Sequence, residues 1–375
     1  MIYLDYAANT PVDARVMDYY MDCSNRYIAN PNSVHPLGRE AGDRMNQITD
    51  RIAELFGILS KEIIYTSGAS EANNLAIKGL AWANRHSGKH IISTGLEHSS
   101  VSGALTYLQS LGYEIDMVDI TGDGLVDLVH LKELVRKDTV LVSVSYVDSE
   151  LGIIQPISEI GELLKDYPNC FFHVDATQAV GKIPIDIKNI DLLSFTPHKF
   201  FGMNGCGVLI RKEQVVLEPL IHGGTSTTDY RSGSPALALA ASIEKSLELA
   251  YLYQEERYQY VTRLHDKLIK ELTKYKKVRV NSTGYSVPHI INLSVQGVKA
   301  TLFQEALAEE GICISTKSAC SVLNSPSRPV YEVTKDRKNA LCSWRISISH
   351  LTSEEEIEAF LSIFHACYEK LAVSN

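Results

Sequence analysis

The chain has 375 residues, 45% of them hydrophobic and 22% charged, the balance of a globular enzyme able to bury a large core and a smaller one beside it. Its formal net charge of −9 is spread along the sequence without a basic block, which argues against nucleic acid or an anionic membrane surface as the main partner. No apolar run approaches a membrane span, and Met1 leads straight into the strand-like IYLDY without a basic or apolar leader, so a cytoplasmic location is expected.

In chain order, residues 1–11 form an extended arm rich in small residues, and residues 12–27 a helix with Asp and Arg outward. A loop from Asn30 to Gly38 precedes a helix over 39–56, where Met45, Ile48, Ile52 and Leu55 recur at helical spacing. Residues 62–66 read as the first buried strand, and Ser67-Gly68-Ala69-Ser70-Glu71 turns it into a helix beginning near Ala72. Strand, small-residue turn and helix start make an anion site, because N–H groups at a helix N-terminus point outward and a hydroxyl adds a further bond. Ala69 and Ser70 are therefore candidate phosphate ligands; taken alone, Ser70 is equally a helix cap with Glu71 favourable to the dipole. The next strand, 90–94, runs into Gly95-Leu96-Glu97-His98. Strands at 115–118 and 140–144 alternate with helices at 99–111 and 128–137. Such alternation predicts right-handed crossovers and a mostly parallel sheet.

From Cys170 to Gly207 two apolar runs, 171–174 and 192–195, are each followed at once by polar groups: Asp175, Thr177 and Gln178 after the first, Thr196, His198 and Lys199 after the second. As parallel neighbours these strands would aim Asp175 and Lys199 into one crevice, where open α/β sheets bind ligands. A carboxylate and an amine held there suggest pyridoxal phosphate, the amine bonding to its aldehyde and the acid pairing with its ring nitrogen. Gly202 to Gly207 turns into a strand at 208–210, and residues 222–234 are a Gly/Ser/Thr-rich loop. One long amphipathic helix is expected over 235–275. Short strands at 278–280, 290–293, 312–315 and 345–349 then alternate with helices at 300–310 and 353–371.

The seven cysteines are an odd number without a C-x-x-C pair, so no closed zinc site is expected and most are small buried hydrophobes. Cys320 differs. It precedes SVLNSPSRP, a stretch with little reason to pack, and an exposed, mobile thiol there is a nucleophile. Arg345 opens the strand RISIS and offers two parallel hydrogen bonds to a carboxylate; the plainer alternative is a salt bridge at a strand end.

These stretches, with YLDYAANTP (3–11), ANPNSVH (29–35), TSGASEANNLAIKG (66–79), LEHSSV (96–101), HGG (222–224), RSGS (231–234), STKSAC (315–320) and RISISHLTSEEEI (345–357), resemble the class V aminotransferase superfamily. Within it they are similar to the cysteine desulfurases of the NifS and IscS kind. The resemblance implies a mostly parallel seven-stranded α/β sheet with helices on both faces, the type I fold of pyridoxal-phosphate enzymes, plus a smaller α+β C-terminal domain. Residues 12–250 would form the large domain, and 1–11 with 251–375 the smaller one. L-cysteine would become L-alanine, its sulfur leaving as a persulfide on Cys320 for an iron–sulfur scaffold or a tRNA or cofactor thiolation enzyme.

By the same resemblance Lys199 carries the cofactor, and His98 stacks on its ring as acid and base. Asp175, Gln178, Thr196 and His198 contact the cofactor, Ala69 and Ser70 its phosphate. Ser234 reaches the phosphate of the neighbouring subunit of a homodimer, and Arg345 and Asn9 hold the substrate carboxylate. Three departures stand out. Ser149 occupies the usual place of an asparagine that bonds the cofactor's phenolic oxygen, Pro197 removes a backbone donor, and His350 replaces a second arginine. They leave open another enzyme of the superfamily, such as a selenocysteine lyase or an aminotransferase, and a non-catalytic relative that keeps the fold.

Overall fold

A computed structural model describes residues 1–317 and 325–373. Its strands are β1 (Ile2–Tyr3), β2 (Ile63–Thr66), β3 (His90–Ser93), β4 (Glu114–Met117), β5 (Thr139–Ser145), β6 (Phe171–Asp175), β7 (Leu192–Phe195), β8 (Gly207–Arg211), β9 (Val278–Val280), β10 (Ile290–Val295), β11 (Ile312–Cys313) and β12 (Ser343–Ser347). Seven form one sheet in the order β2-β8-β7-β6-β5-β3-β4. Pairing is parallel from β7 through β6, β5 and β3 to β4, and β8 alone runs antiparallel to its neighbours β7 and β2. The interior strand β5 is TVLVSVS and is buried throughout, as a β-rich run covered by helices on both faces must be.

Helix Pro36–Phe56 shows how local chemistry sets an element. His35 accepts from the Gly38 N–H at its start, proline occupies the first turn, and Gly57 closes it at φ 63°, the left-handed conformation glycine adopts without penalty. Ile48 and Ile52 are fully buried in the core of the large sheet. A second core gathers Leu4, Phe303, Trp344, Phe360 and Phe364 beneath the three-stranded sheet β12-β10-β9. The arm links the two cores: β1 pairs with β11, and Thr10 bonds the backbone at His198 and Phe201. No helix among the described residues is long and apolar enough to cross a membrane.

Three expectations are corrected. The single helix over 235–275 is two, Leu237–Leu252 and Gln254–Leu272, broken at Tyr253. Arg345 lies in the middle of β12 rather than at its start. The end of SVLNSPSRP does pack: Ser327 is fully buried, donates to Glu150 Oε2 at 2.6 Å and caps helix Arg328–Thr334.

Candidate active site

β6 and β7 are parallel neighbours, with Asp175 opposite Ser194, so the two strand tips open into the same cleft. Asp175, buried, accepts from the Thr177 N–H at 3.0 Å on Oδ1 and from Asn73 Nδ2 at 2.7 Å on Oδ2. Asn73 lies in helix Ala69–Asn74, the first part of a helical run that continues to Ala83, and donates to Ser100 Oγ as well. Lys199 ends the short turn after β7, and its Nζ donates to the carbonyls of Ala7 at 2.9 Å and Ala8 at 2.6 Å. The arm thus holds the amine inside the cleft.

Around them, His98 caps helix Ser99–Ser110: its Nδ1 accepts from the Ser100 N–H at 3.2 Å. An N–H can only donate, so the neutral ring carries its proton on Nε2. Burial pushes the imidazole pKa below its ordinary value, Asp175 opposes that and Lys199 adds to it. Thr196 donates to the Cys206 carbonyl at 2.8 Å, so His198 Nδ1, 2.9 Å away, is the donor to the Thr196 hydroxyl. Burial, with Lys199 and Lys182 nearby, lowers the His198 pKa to about 4. Gln178 donates to Ala7 O at 2.9 Å and accepts from Lys182 Nζ at 2.7 Å. With Oε1 turned to Lys182, the amide presents its N–H side to the arm.

The cleft, about 1220 Å³ of space free of protein atoms and partly open to solvent, is lined by Ala69, Ser70, His98, Ser149, Asp175, Gln178, Thr196, His198, Lys199 and Arg345. Arg345, 2% exposed, donates from Nη1 to the Ser149 carbonyl at 2.5 Å and from Nη2 to Asp5 Oδ1 at 2.7 Å. The alternative of a salt bridge therefore holds together with a place in the cleft wall. Two expected residues lie elsewhere. Asn9 is exposed with its amide donating to Thr10 O, and Ser234 lines a separate smaller cavity beside Arg231. His350 also stands outside, its ring 4.5 Å from that of Phe201. Cys320 lies outside the described residues. Asn73, Asp5 and Glu97 are site neighbours that sequence reasoning missed. Of these, a buried polar residue on the inner face of a helix, as at Asn73, was the one visible signal.

The donor set fits pyridoxal phosphate. The cleft lining brings together the first N–H groups of a helix and the Ser70 hydroxyl for an anion, an acid at Asp175 and an amine at Lys199. The Thr177 hydroxyl, also in that lining, is buried with no partner among the described residues, a donor that a bound polar group would satisfy. No group of three or more His, Cys, Asp or Glu among the described residues could hold a metal ion.

Comparison with known proteins bears on the family and the fold. Residues 2–360 match the class-V aminotransferase family. The cysteine desulfurase IscS of Dictyoglomus turgidum is 36% identical over 375 residues, covering 99% of this chain and 95% of its own length. The IscS of Methanosarcina thermophila is 33% identical over 376 residues, covering 99% and 92%. Among solved structures, a NifS-like protein superposes with a TM-score of 0.92 at 30% identity, covering 99% of this chain and 100% of that one. A NifS-like protein from Rickettsia africae gives 0.87 at 30% identity, covering 98% and 99%.

Proposed function

The chain belongs to the class-V aminotransferase family, and from that premise we propose how its residues work as a pyridoxal-phosphate-dependent cysteine desulfurase. The observation that carries the assignment of roles is the meeting of Lys199 and Asp175 in one cleft at adjacent parallel strand tips. The cofactor, when bound, supplies an electron sink for the α-carbon of the substrate. Lys199 bonds the cofactor's aldehyde, Asp175 pairs with its ring nitrogen, and Ala69 and Ser70 bind its phosphate. With Ser149 too short for an asparagine's reach, the N–H side of Gln178 is the donor left for the phenolic oxygen.

Arg345 binds the carboxylate of L-cysteine and fixes which face of the α-carbon meets Lys199. Lys199 moves the α-proton, and His98 holds a proton on Nε2 for delivery on the opposite side. The Cys320 thiolate then attacks the substrate sulfur: an S–S bond forms as Cβ–S breaks, and the electron pair and a proton end on the methyl carbon of alanine. L-cysteine and an enzyme thiol thus give L-alanine and an enzyme persulfide, with no outside oxidant. The persulfide passes to a sulfur-acceptor protein, an iron–sulfur scaffold or a tRNA or cofactor thiolation enzyme. The protein acts in the cytoplasm as a homodimer in which Ser234 reaches the neighbouring site.

Incubation with L-cysteine under reducing conditions, reading alanine and sulfide together, tests the scheme. Cys320→Ser is expected to lose at least about a hundredfold of the rate while retaining the cofactor's absorbance. Parent-level sulfide release by that variant would remove Cys320 from the mechanism.

A further inference from the structure

Arg345 is a buried cation with an unequal set of partners. Nη2 is paired with Asp5 Oδ1 at 2.7 Å, Nη1 with the Ser149 carbonyl at 2.5 Å, and Nε has no partner among the described residues. Asp5 is itself fixed. Its Oδ2 accepts from Ser315 Oγ at 2.8 Å, its carbonyl accepts from the Tyr3 hydroxyl at 3.0 Å, and its backbone bridges to Ser347. Arg345 lines the cleft and Asp5 does not, so the acid holds the guanidinium from outside the cleft.

We infer that Asp5 is a positioning residue that aims the Arg345 fork and cancels much of its charge, so that the cleft grips a carboxylate through hydrogen bonds rather than net charge. The inference rests on the reading that Arg345 holds the substrate carboxylate. Two carboxylates on one guanidinium repel each other, and in a partly enclosed site that repulsion is not screened away. Asp148, another acid that interacts with Arg345, is enclosed and already accepts from the N–H groups of Glu150, Leu151 and Ile153; burial pushes its pKa up, while those N–H groups and Arg345 pull it down. Capture of cysteine and release of alanine use the same fork. A bare guanidinium would hold both too tightly, and Asp5 sets the compromise.

The test uses the holoenzyme and calorimetric binding of L-alanine, with ethylamine, the same skeleton without the carboxylate, as the control. Asp5→Asn keeps an oxygen for Nη2 and removes the charge. It should bind L-alanine about tenfold tighter, lower KM for L-cysteine by a similar factor, lower kcat through slow product release, and leave ethylamine unchanged. Ser315→Ala, which strips a hydrogen bond from Asp5 and leaves its charge more available to Arg345, should weaken L-alanine about threefold, and it decides the matter if Asp5→Asn does not fold. Unchanged or weaker L-alanine binding in Asp5→Asn, unchanged binding in Ser315→Ala, or equal shifts for ethylamine overturn the role of Asp5. If Arg345→Gln leaves L-alanine affinity at the parent value, the reading of Arg345 fails instead.

Discussion

On the proposed mechanism His98 has divided duties: Nδ1 caps a helix and Nε2 carries the proton used in the chemistry. Asparagine is a strong N-cap but no acid or base, so His98→Asn separates the two. We expect a melting temperature close to the parent's with kcat down about 10²- to 10⁴-fold, whereas His98→Ala should lose about 1 kcal/mol of stability as well; calorimetry beside the alanine assay reads both. Its neighbour Glu97 accepts from Ser145 and Thr94, and its pKa is pushed up to about 8, by burial first. A raised carboxyl stabilises the fold in its neutral form. That contribution is whole below the unfolded value near 4.5 and is lost as pH rises through about 8. Between those limits, the stability of the parent minus that of Glu97→Gln in urea unfolding should fall by a few kcal/mol, on the order set by the shift; a flat difference would refute the neutral acid. Lys199, Asp175, Gln178 and Thr196 were legible because polar groups directly follow apolar strands. Asp5 was not, since its partner is 340 positions away and no local pattern announces such a pair; Asn73 showed at most as a polar residue on an inner helix face, with nothing to name its partner 102 positions on.

Among the elements, the β2–β8 pair sets the turn that opens the candidate phosphate wall. Thr66 pairs with Gly207, and a Cβ on Gly207 would come within 2.7 Å of the Gly68 backbone, closer than atoms tolerate. Gly207→Ala must therefore push the 67–70 turn away from β8. The expected cost is about 1–3 kcal/mol, with weaker retention of cofactor in equilibrium dialysis; full retention would separate that turn from phosphate binding. The same dependence on distant contacts explains the misread helix. YLYQEER contains no proline or glycine, yet the helix breaks at Tyr253, whose ring lies 5.4 Å from the Arg15 guanidinium and 5.2 Å from that of Arg257. Contacts from a residue over two hundred positions upstream are consistent with the break, and periodicity cannot report them. The helices Arg328–Thr334 and Arg337–Leu341 were missed for another reason. They are too short for a face to show, although Ser327 and Asp336 at their caps were a readable signal. The parallel strands β3, β5, β6 and β7, short and rich in apolar residues, needed no such help.

At the scale of the whole molecule the arm acts as a strap. Leu4, fully buried, belongs to the core beneath β12-β10-β9, while Ala7, Ala8 and Thr10 reach Lys199, His198 and Phe201 on the other side. We propose that the boundary falls as the sequence suggested, with residues 1–11 serving the smaller unit. Leu4→Ala then removes packing from that unit alone, at about 2–5 kcal/mol. The two tryptophans permit a direct reading, since Trp82 lies against the core of the large sheet and Trp344 stacks 5.2 Å from Phe303 in the smaller core. In Trp82→Phe and Trp344→Phe backgrounds, Leu4→Ala should lower the unfolding midpoint reported by Trp344 well before that reported by Trp82. If both probes shift together by the same amount, the strap binds the chain into one cooperative unit and the proposed division is wrong. Should they separate as expected, a fall in alanine formation at temperatures where Trp82 still reports a folded sheet would trace the loss to the smaller unit, which supplies Arg345 as well as the arm carbonyls that hold Lys199.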